Sequence, residues 1–166
     1  MRWCFDENVA SFPVTSKAAT KLNDTSRAFQ VSFQLLRGVR LMCLIRESTF
    51  GRGNKATNFH WQARERGVEI VHDICRYIVP WDVFHTVLDY ARSMAQKQGG
   101  ILKVGPSQDK PPAGTLGYWV KHEKHFVLDT GSLTPRHLSF LGPIYARMGF
   151  LSPEHEGRAI LWRMHS

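Results

Sequence analysis

The stretch "GPSQDKPPAG", residues 105–114, places a carboxylate in a turn-forming segment directly after a short apolar run, "ILKV". Its prolines and glycines predict a loop. If the apolar run is a parallel strand, the loop leaves its carboxyl end, where open α/β sheets bind ligands. Asp109 can accept a proton there, and Tyr118 just beyond can return one. These are the first candidates for proton handling; a solvated turn followed by an ordinary strand tyrosine is the alternative.

Charged residues also occur within the apolar stretch "VEIVHDICRYIV", residues 68–79. Both faces of such a strand are largely apolar, which predicts a central strand. Asp73 and Arg76 must then pair or border a cavity. They are candidates for contacting substrate, against a structural salt bridge with neighbouring elements. His72 beside them can titrate near neutrality, or be a histidine satisfied within the fold.

Metal and disulfide chemistry are disfavoured. "HEKH" at 122–125 has two histidines without a third nearby ligand, and it indicates a solvated hairpin tip. Cys4, Cys43 and Cys75 are odd in number, far apart and flanked by apolar residues, which predicts reduced core thiols in a cytoplasmic protein. No apolar stretch is long enough to span a membrane, and "MRWCFDENVASF" lacks the pattern of a signal peptide.

The charge balance favours a polyanionic partner. The chain carries 22 Lys and Arg against 14 Asp and Glu, which gives a net charge of +8. Its 166 residues are enough for one domain, and we predict a single domain over residues 1–166. A basic segment interleaved with aromatic residues is a candidate for phosphate contact and base stacking, or else a solvated cationic loop. The nucleic-acid-binding candidates are Arg46, Arg52, Lys55, Trp61, Arg64 and Arg66.

Periodicity predicts the elements that position these residues. Two apolar runs around Arg37-Gly38 predict a hairpin with strands near 29–36 and 39–47. Residues 48–67 favour either a loop or a short helix. Apolar residues at helical spacing predict a helix from an Asp82 cap to Gly99-Gly100.

Residues 101–104 then form a short strand, parallel to the central strand through a right-handed crossover. The rest of the chain predicts two strand-like pieces around "KHEKH", a helix interrupted at Gly142-Pro143, and a last strand, "AILWRM".

A hairpin, a central strand, an amphipathic helix and a second strand, in that order, resemble the core of the GNAT acyltransferase superfamily. "DICRYIV" at 73–79 and "ILKVGPSQDKPPAGTLGYW" at 101–119 are similar to segments of phage Mom-type DNA modification proteins, a divergent GNAT-like branch. The resemblance implies an α/β (α+β) fold with a GNAT-like mixed central sheet. It also implies transfer of an acyl-type group from acetyl-CoA or a related acyl-CoA to an amine, with nucleic acid as one carrier of that amine.

Carried onto this sequence, the resemblance makes Gly105, Ser107 and Gly114 candidates for contacting the donor, and Tyr145 in "IYARMGF" a candidate general acid. A second alignment instead puts Gly51 and Gly53 near the donor phosphates. The sequence departs from the family at "VPWDVF", which lacks a glycine-rich phosphate loop; Trp81 is not small enough for close approach.

Two other classes remain open. The chain can be a non-catalytic basic accessory protein of phage or plasmid origin that binds nucleic acid or a host complex. "MRWCFDENV" also suggests a PIN-like nuclease, although the acidic cluster expected downstream is missing.

Overall fold

The computed structural model describes residues 44–51, 56–73, 75–157 and 159–165, all within one unit that covers residues 40–166. The predicted strand at 29–36 and its turn, Cys4, Cys43 and the "MRWCFDENV" segment lie outside these ranges. Arg52, Gly53 and Lys55 lie outside them as well. The assignment of residues 1–166 to a single domain stays a prediction.

The first sheet contains four antiparallel strands in the order of the chain. They are β1 (Ile45–Ser48), β2 (Asn58–Arg64), β3 (Gly67–His72) and β4 (Cys75–Pro80). β2 replaces the predicted loop or helix, because Phe59 and Trp61 are buried at the two-residue spacing of a strand.

The predicted central strand at 68–79 is wrong, because the chain reverses in the middle of it. Asp73 has a φ of 48°, and an aspartate tolerates this left-handed conformation in a two-residue hairpin turn. β3 and β4 therefore pair with each other in register, from His72 opposite Cys75 to Gly67 opposite Pro80.

Helix α1 (Trp81–Lys97) follows β4 without a loop and confirms the predicted helix. Asp82 lies in its first turn rather than at the cap, which is Pro80. Strand β5 (Ile101–Lys103) follows as predicted, but it pairs antiparallel with the last strand of the chain. β5 does not pair with β4 among the described strands, so the predicted parallel direction of these two strands stays a prediction.

The remaining elements are two helices, a hairpin and a second sheet. In order they are α2 (Leu116–His122), β6 (Val127–Leu128), β7 (Gly131–Ser132), a 3-10 turn (Pro135–His137), α3 (Leu138–Arg147), β8 (Leu151–Glu156) and β9 (Ala159–Met164). The second sheet has the order β5-β9-β8. α2 replaces a predicted strand, because Thr115 caps it by accepting from the Tyr118 amide. α3 runs through Pro143 without the predicted interruption.

The core lies between the first sheet and helices α1 and α3. Val68, Ile70 and Val79 are fully buried on one sheet face, and Phe140 of α3 packs edge-on against Phe59. The predicted α+β class is confirmed, with three α-helices among the described residues. All strands of the described ranges pair antiparallel, so the mixed central sheet is not seen there.

Candidate active site

The edges of β4 and β5 are unpaired where the two sheets meet α1. β4 pairs only with β3, and β5 only with β9, among the described strands. α1 contacts two strands on each side, β3 and β4 of the first sheet and β5 and β9 of the second. β4 and β5 are the edge strands of those pairs, so α1 contacts two strands that each have an edge without a strand partner among the described residues. We call the region beside α1 that these two edges border the crevice.

Backbone groups point into the crevice from β4. In a hairpin whose turn-flanking pair is His72–Cys75, every second residue directs its amide and carbonyl outward, and these are Arg76 and Ile78. The Ile78 N–H donates to Asp129 Oδ1 at 2.8 Å. Asp129 lies in the turn between β6 and β7, and β6 contacts β4. The sequence offered only a turn signal here, "LDTG", so Asp129 was not among the candidates.

On the other side of the crevice, β5 leads into the predicted loop. Gly117 N, in the first turn of α2, donates to Val104 O at 2.8 Å. Gly105 has a φ of 59° and lies against the Thr115 side chain, while Gly114 has a φ of 74° with open space around it. Packing and turn geometry therefore account for both glycines, and their predicted role in donor binding gains no support from these contacts.

Asp109 and Tyr118 are held in one loop-helix unit. Lys121, one helical turn beyond Tyr118, donates to the backbone carbonyls of Gln108, at 3.0 Å, and of Asp109. The Asp109 side chain is exposed, and the Tyr118 ring lies 4.5 Å from the His122 ring. Ser107 accepts from the Lys110 amide at 3.4 Å. The structure joins these residues to one another but not to the β4 edge, so their roles stay predictions.

Asp73 and Arg76 are not buried as the strand prediction required, whereas His72 is half-buried and its ring packs edge-on against Phe140. The Asp73 carboxylate is exposed in the hairpin turn, 3.0 Å from His72 Nδ1. Arg76 is 67% exposed and pairs with Glu69 instead. Asp73 and Arg76 thus have separate partners, and neither the predicted cleft nor the predicted burial applies to them.

Glu69 is the charged residue that sequence reasoning missed. Its side chain is 1% exposed and accepts hydrogen bonds from Gln62, Arg64 and Arg76. Burial would raise the pKa of this carboxyl, but the three donors outweigh it and lower the pKa. A single glutamate in the apolar run "GVEIV" was the available signal, because an isolated charge in a strand needs partners.

Tyr145 belongs to the core. It is fully buried, its hydroxyl donates to Phe84 O at 2.7 Å, and burial raises its pKa. Its ring also contacts Trp162 of β9. A hydroxyl already bonded to a helix carbonyl and closed off from solvent cannot protonate a leaving group, so the predicted general acid is wrong.

His137 and Tyr77 form a second buried pair, with ring centroids 4.8 Å apart. Burial lowers the pKa of His137, and a hydrogen bond from the Thr134 amide to its Nδ1 holds the ring. Burial also raises the pKa of Tyr77. Both side chains are therefore neutral at pH 7, and they pack the 3-10 turn against β4.

A cavity of about 400 Å³ lies beyond the end of β5, a size that suits a small ligand. Its walls come from the segment after β1, the end of β5, the start of α3 and the β8–β9 hairpin. The lining residues are Thr49, Phe50, Gly51, Val104, Pro106, Leu138, Ser139, His155, Gly157, Ile160 and Trp162. No lysine or arginine lines it within the described ranges. The alignment that placed Gly51 near phosphates thus gains no support.

The start of α1 does not suit a diphosphate. The Trp81 amide donates to Arg66 O at 3.4 Å, and the Trp81 indole donates to Arg64 O at 3.0 Å. Asp82 adds a negative charge to the first turn, which opposes anion binding at a helix N-terminus. The residues present here do not fit the diphosphate of a CoA donor.

The face of the first sheet that carries Glu69 is cationic. Register places Arg46, His60, Val71 and Arg76 in one row across the four strands. Arg64 lies on the same face, whereas Arg66 lies in the β2–β3 turn. Trp61 points to the opposite face and is 6% exposed. Its predicted role in base stacking is therefore wrong, because its ring lies in the core.

The remaining predictions concern thiols, metal ions and membranes. Cys75 is a free thiol and is exposed, so its predicted place in the core is wrong. No three His, Cys, Asp or Glu side chains of the described residues could together hold a metal ion. In the same ranges, no helix combines the length and apolarity that a membrane crossing requires.

Comparisons of the chain with protein-family models, with curated proteins and with solved structures found no match. The evidence for the α+β fold and for the unpaired edges of β4 and β5 is therefore the geometry of this chain alone.

Proposed function

We propose that this chain is a GNAT-like acyltransferase that moves an acyl group from a thioester to an amine. The observation that carries the proposal is the pair of unpaired strand edges, β4 and β5, on two strands that both contact α1. A crevice of this kind offers main-chain N–H groups to a carbonyl without breaking a strand pair. Such donors stabilise the negative charge that develops on oxygen during acyl transfer.

The part of the acyl donor that the proposed reaction requires is its thioester. Acetyl-CoA is the simplest such compound, but the start of α1 offers no cradle for its diphosphate, so the nucleotide end must bind elsewhere on the protein. Asp109 and Tyr118, on the loop and helix that follow β5, remain candidates for proton transfer. A reducing, cytoplasmic environment suits a protein with an exposed free thiol at Cys75.

The first prediction tests the crevice with acetyl-CoA and a panel of primary amines. The wild-type chain should bind acetyl-CoA in calorimetric titration and release free thiol when an accepted amine is added. Ile78→Pro should lower the transfer rate about 10²–10³-fold, because it removes the N–H that points into the crevice. Proline is tolerated on an edge strand where the N–H is not part of the ladder.

Ile78→Val is the matched control, since it keeps the amide and should retain the wild-type rate. Circular dichroism of each variant verifies that the fold is intact. Absence of both acetyl-CoA binding and thiol release in the wild-type chain would overturn the proposed activity.

A second candidate function, nucleic-acid binding, is favoured by the cationic row on the first sheet. Arg46 and Arg76 are exposed and lie three strand spacings apart, about 14 Å. Glu69 is the acidic residue of this face among the described positions, and Arg64 and Arg76 already neutralise it. With the net charge of +8, this face complements a phosphate backbone. Nucleic-acid binding by this face can be the whole function of the protein. It can also bring an amine carried by the nucleic acid to the acyltransferase site.

The second prediction concerns the salt dependence of that binding. Arg46→Gln with Arg76→Gln should reduce affinity for duplex DNA and lower the slope of log K against log salt by about 1.8, about 0.9 for each phosphate that an arginine no longer neutralises. Lys97→Gln with Lys124→Gln removes the same charge from exposed positions off this face. This control pair should keep most of the wild-type slope of log K against log salt. Equal effects of the two pairs in filter-binding titrations would contradict a specific docking face.

A further inference from the structure

We propose that the cavity beyond the end of β5 is a binding site for a small, uncharged aromatic compound that carries a hydroxyl or a similar hydrogen-bonding group. The cavity has a volume of about 400 Å³. Its walls contain none of the residues invoked above for acyl transfer or for nucleic-acid binding. The inference therefore goes beyond the proposed function and does not depend on it.

The second sheet forms one wall of the cavity with a single face. Leu102 pairs with Trp162, and His155 pairs with Ile160. Directly opposed residues of antiparallel strands point to the same face, as do residues two apart in one strand. Val104 continues this face, since its amide donates to Ile160 O at 3.3 Å. The wall is therefore apolar except for His155 at its hairpin end.

Two aromatic rings of the cavity approach helix α3 closely. A Cβ at Gly142 of α3 would lie 2.9 Å from Phe50 Cε2 and 2.9 Å from Trp162 Cζ2. The absence of a side chain at this position thus lets both rings pack against the helix. Phe50 is half-buried and has no ring partner among the described residues. Since both side chains line the cavity, an aromatic ligand can pack against them.

Two polar side chains that line the cavity are not used by the described part of the protein. The Ser139 hydroxyl and the His155 imidazole have neither a hydrogen bond nor an ion pair there. Ser139 is half-buried in the first turn of α3, and His155 is exposed near the end of β8. A few polar groups on an otherwise apolar wall are what orients a ligand in a pocket of this size.

The charge of the lining residues decides the charge of the ligand. Among the described residues, the walls contain no Lys, Arg, Asp or Glu. An ionised group in the cavity would lose hydration without gaining a countercharge, whereas a neutral hydroxyl loses much less and can bond Ser139. The cavity therefore favours a class of ligand different from the polyanions that suit the net charge of +8.

Ligand binding is expected to stabilise the folded chain. The cavity lies between four segments that are far apart in the sequence: the segment after β1, the end of β5, the start of α3 and the β8–β9 hairpin. Unfolding separates these segments and destroys the site. A ligand that binds only the folded chain raises its stability in proportion to the logarithm of ligand concentration.

Phenol, toluene and benzoate are probes of similar size that separate the effects of ring, hydroxyl and charge. Titrations of the full chain are followed by proton–carbon correlation spectra of the methyl groups of Val104, Leu138 and Ile160, which line the cavity. Phenol and toluene should shift these signals and raise the Tm. Benzoate should bind at least about tenfold more weakly than phenol, because its carboxylate has no cationic partner in the walls.

Substitutions of Ser139 locate the probes. Ser139→Ala should weaken phenol binding about 3–10-fold and leave toluene binding unchanged, because only the hydroxyl is lost. Ser139→Trp should abolish the methyl shifts caused by both probes, because the indole fills part of the cavity. Ser93→Trp, at an exposed position of α1, adds the same ring away from the cavity and should bind both probes like the wild-type chain. Alanine is compatible with a helix, so Ser139→Ala carries the test if the tryptophan variant does not fold.

Three outcomes would overturn the inference. If neither phenol nor toluene shifts the three methyl signals up to its solubility limit, the cavity holds water only. If Ser139→Ala binds phenol as tightly as wild type, or if benzoate binds as tightly as phenol, the assigned ligand chemistry is wrong. If a folded Ser139→Trp variant binds the probes like Ser93→Trp, the probes bind elsewhere on the protein.

Discussion

Gly117→Ala should lower the free energy of unfolding by about 1–3 kcal/mol or more. A Cβ at this position would lie well inside 3.0 Å of the Gly105 carbonyl oxygen and 3.2 Å from Val104 O. Both atoms belong to the backbone at the end of β5, so no side chain can rotate to make room. The hydrogen bond from Gly117 N to Val104 O would lengthen, and the start of α2 would move away from the crevice.

Urea unfolding followed by circular dichroism measures this effect, and Gly114→Ala is the control. Gly114, unlike Gly117, has a positive φ, 74°, and open space around its Cα. Its replacement should therefore cost only the left-handed strain, about 1–2 kcal/mol. If Gly117→Ala were no more destabilising than Gly114→Ala, the close approach between α2 and β5 would not be a constraint on the fold.

Glu69→Gln should lower the free energy of unfolding by about 1–3 kcal/mol. Glutamine keeps the size of the side chain but turns an amide donor toward guanidinium donors that now lack a countercharge. The effect stays below that of a deeply buried ion pair, because Arg76 and Arg64 are 67% and 44% exposed and water can solvate them. Glu65→Gln, at an exposed turn position, removes the same charge and should change stability little.

The difference between wild type and Glu69→Gln should depend on pH. The pKa of Glu69 is lowered in the folded chain from an ordinary value of 4.5. The carboxylate therefore contributes its full stability above pH 4.5, and this contribution is lost as the pH falls through the lowered pKa. Unfolding curves of the two proteins should converge in acid. A difference that stayed constant below pH 4.5 would mean that the effect of the substitution does not come from the charge of Glu69.

The local elements were the predictable part of this fold. The helix over 81–97 follows from apolar residues at helical spacing after Pro80 and before Gly99-Gly100, a pattern contained in one short window. Strands β5 and β9 follow from apolar runs in the same way. In each case the residues that decide the structure are neighbours in the chain.

The errors arose where one residue or one distant contact decided the outcome. The run at 68–79 has the composition of a single buried strand, and only the left-handed conformation of Asp73 divides it into a hairpin. The segment around Tyr118 has the composition of a strand, but Thr115 caps a helix that begins there. Trp61 was placed on a binding surface, because without the register its face was unknown.

The cationic balance, the amphipathic helix and the loop after β5 could all be predicted from the amino-acid order, because composition and short-range periodicity are properties of neighbouring residues. Three features emerged only from long-range packing: β4 and β5 leave their edges unpaired, Glu69 has two arginine partners, and Asp129 reaches Ile78. These contacts join strands and turns whose pairing depends on how the whole chain buries its apolar faces. No local pattern encodes that choice, because the same outward amide of an edge strand can be met by a strand, a side chain or water.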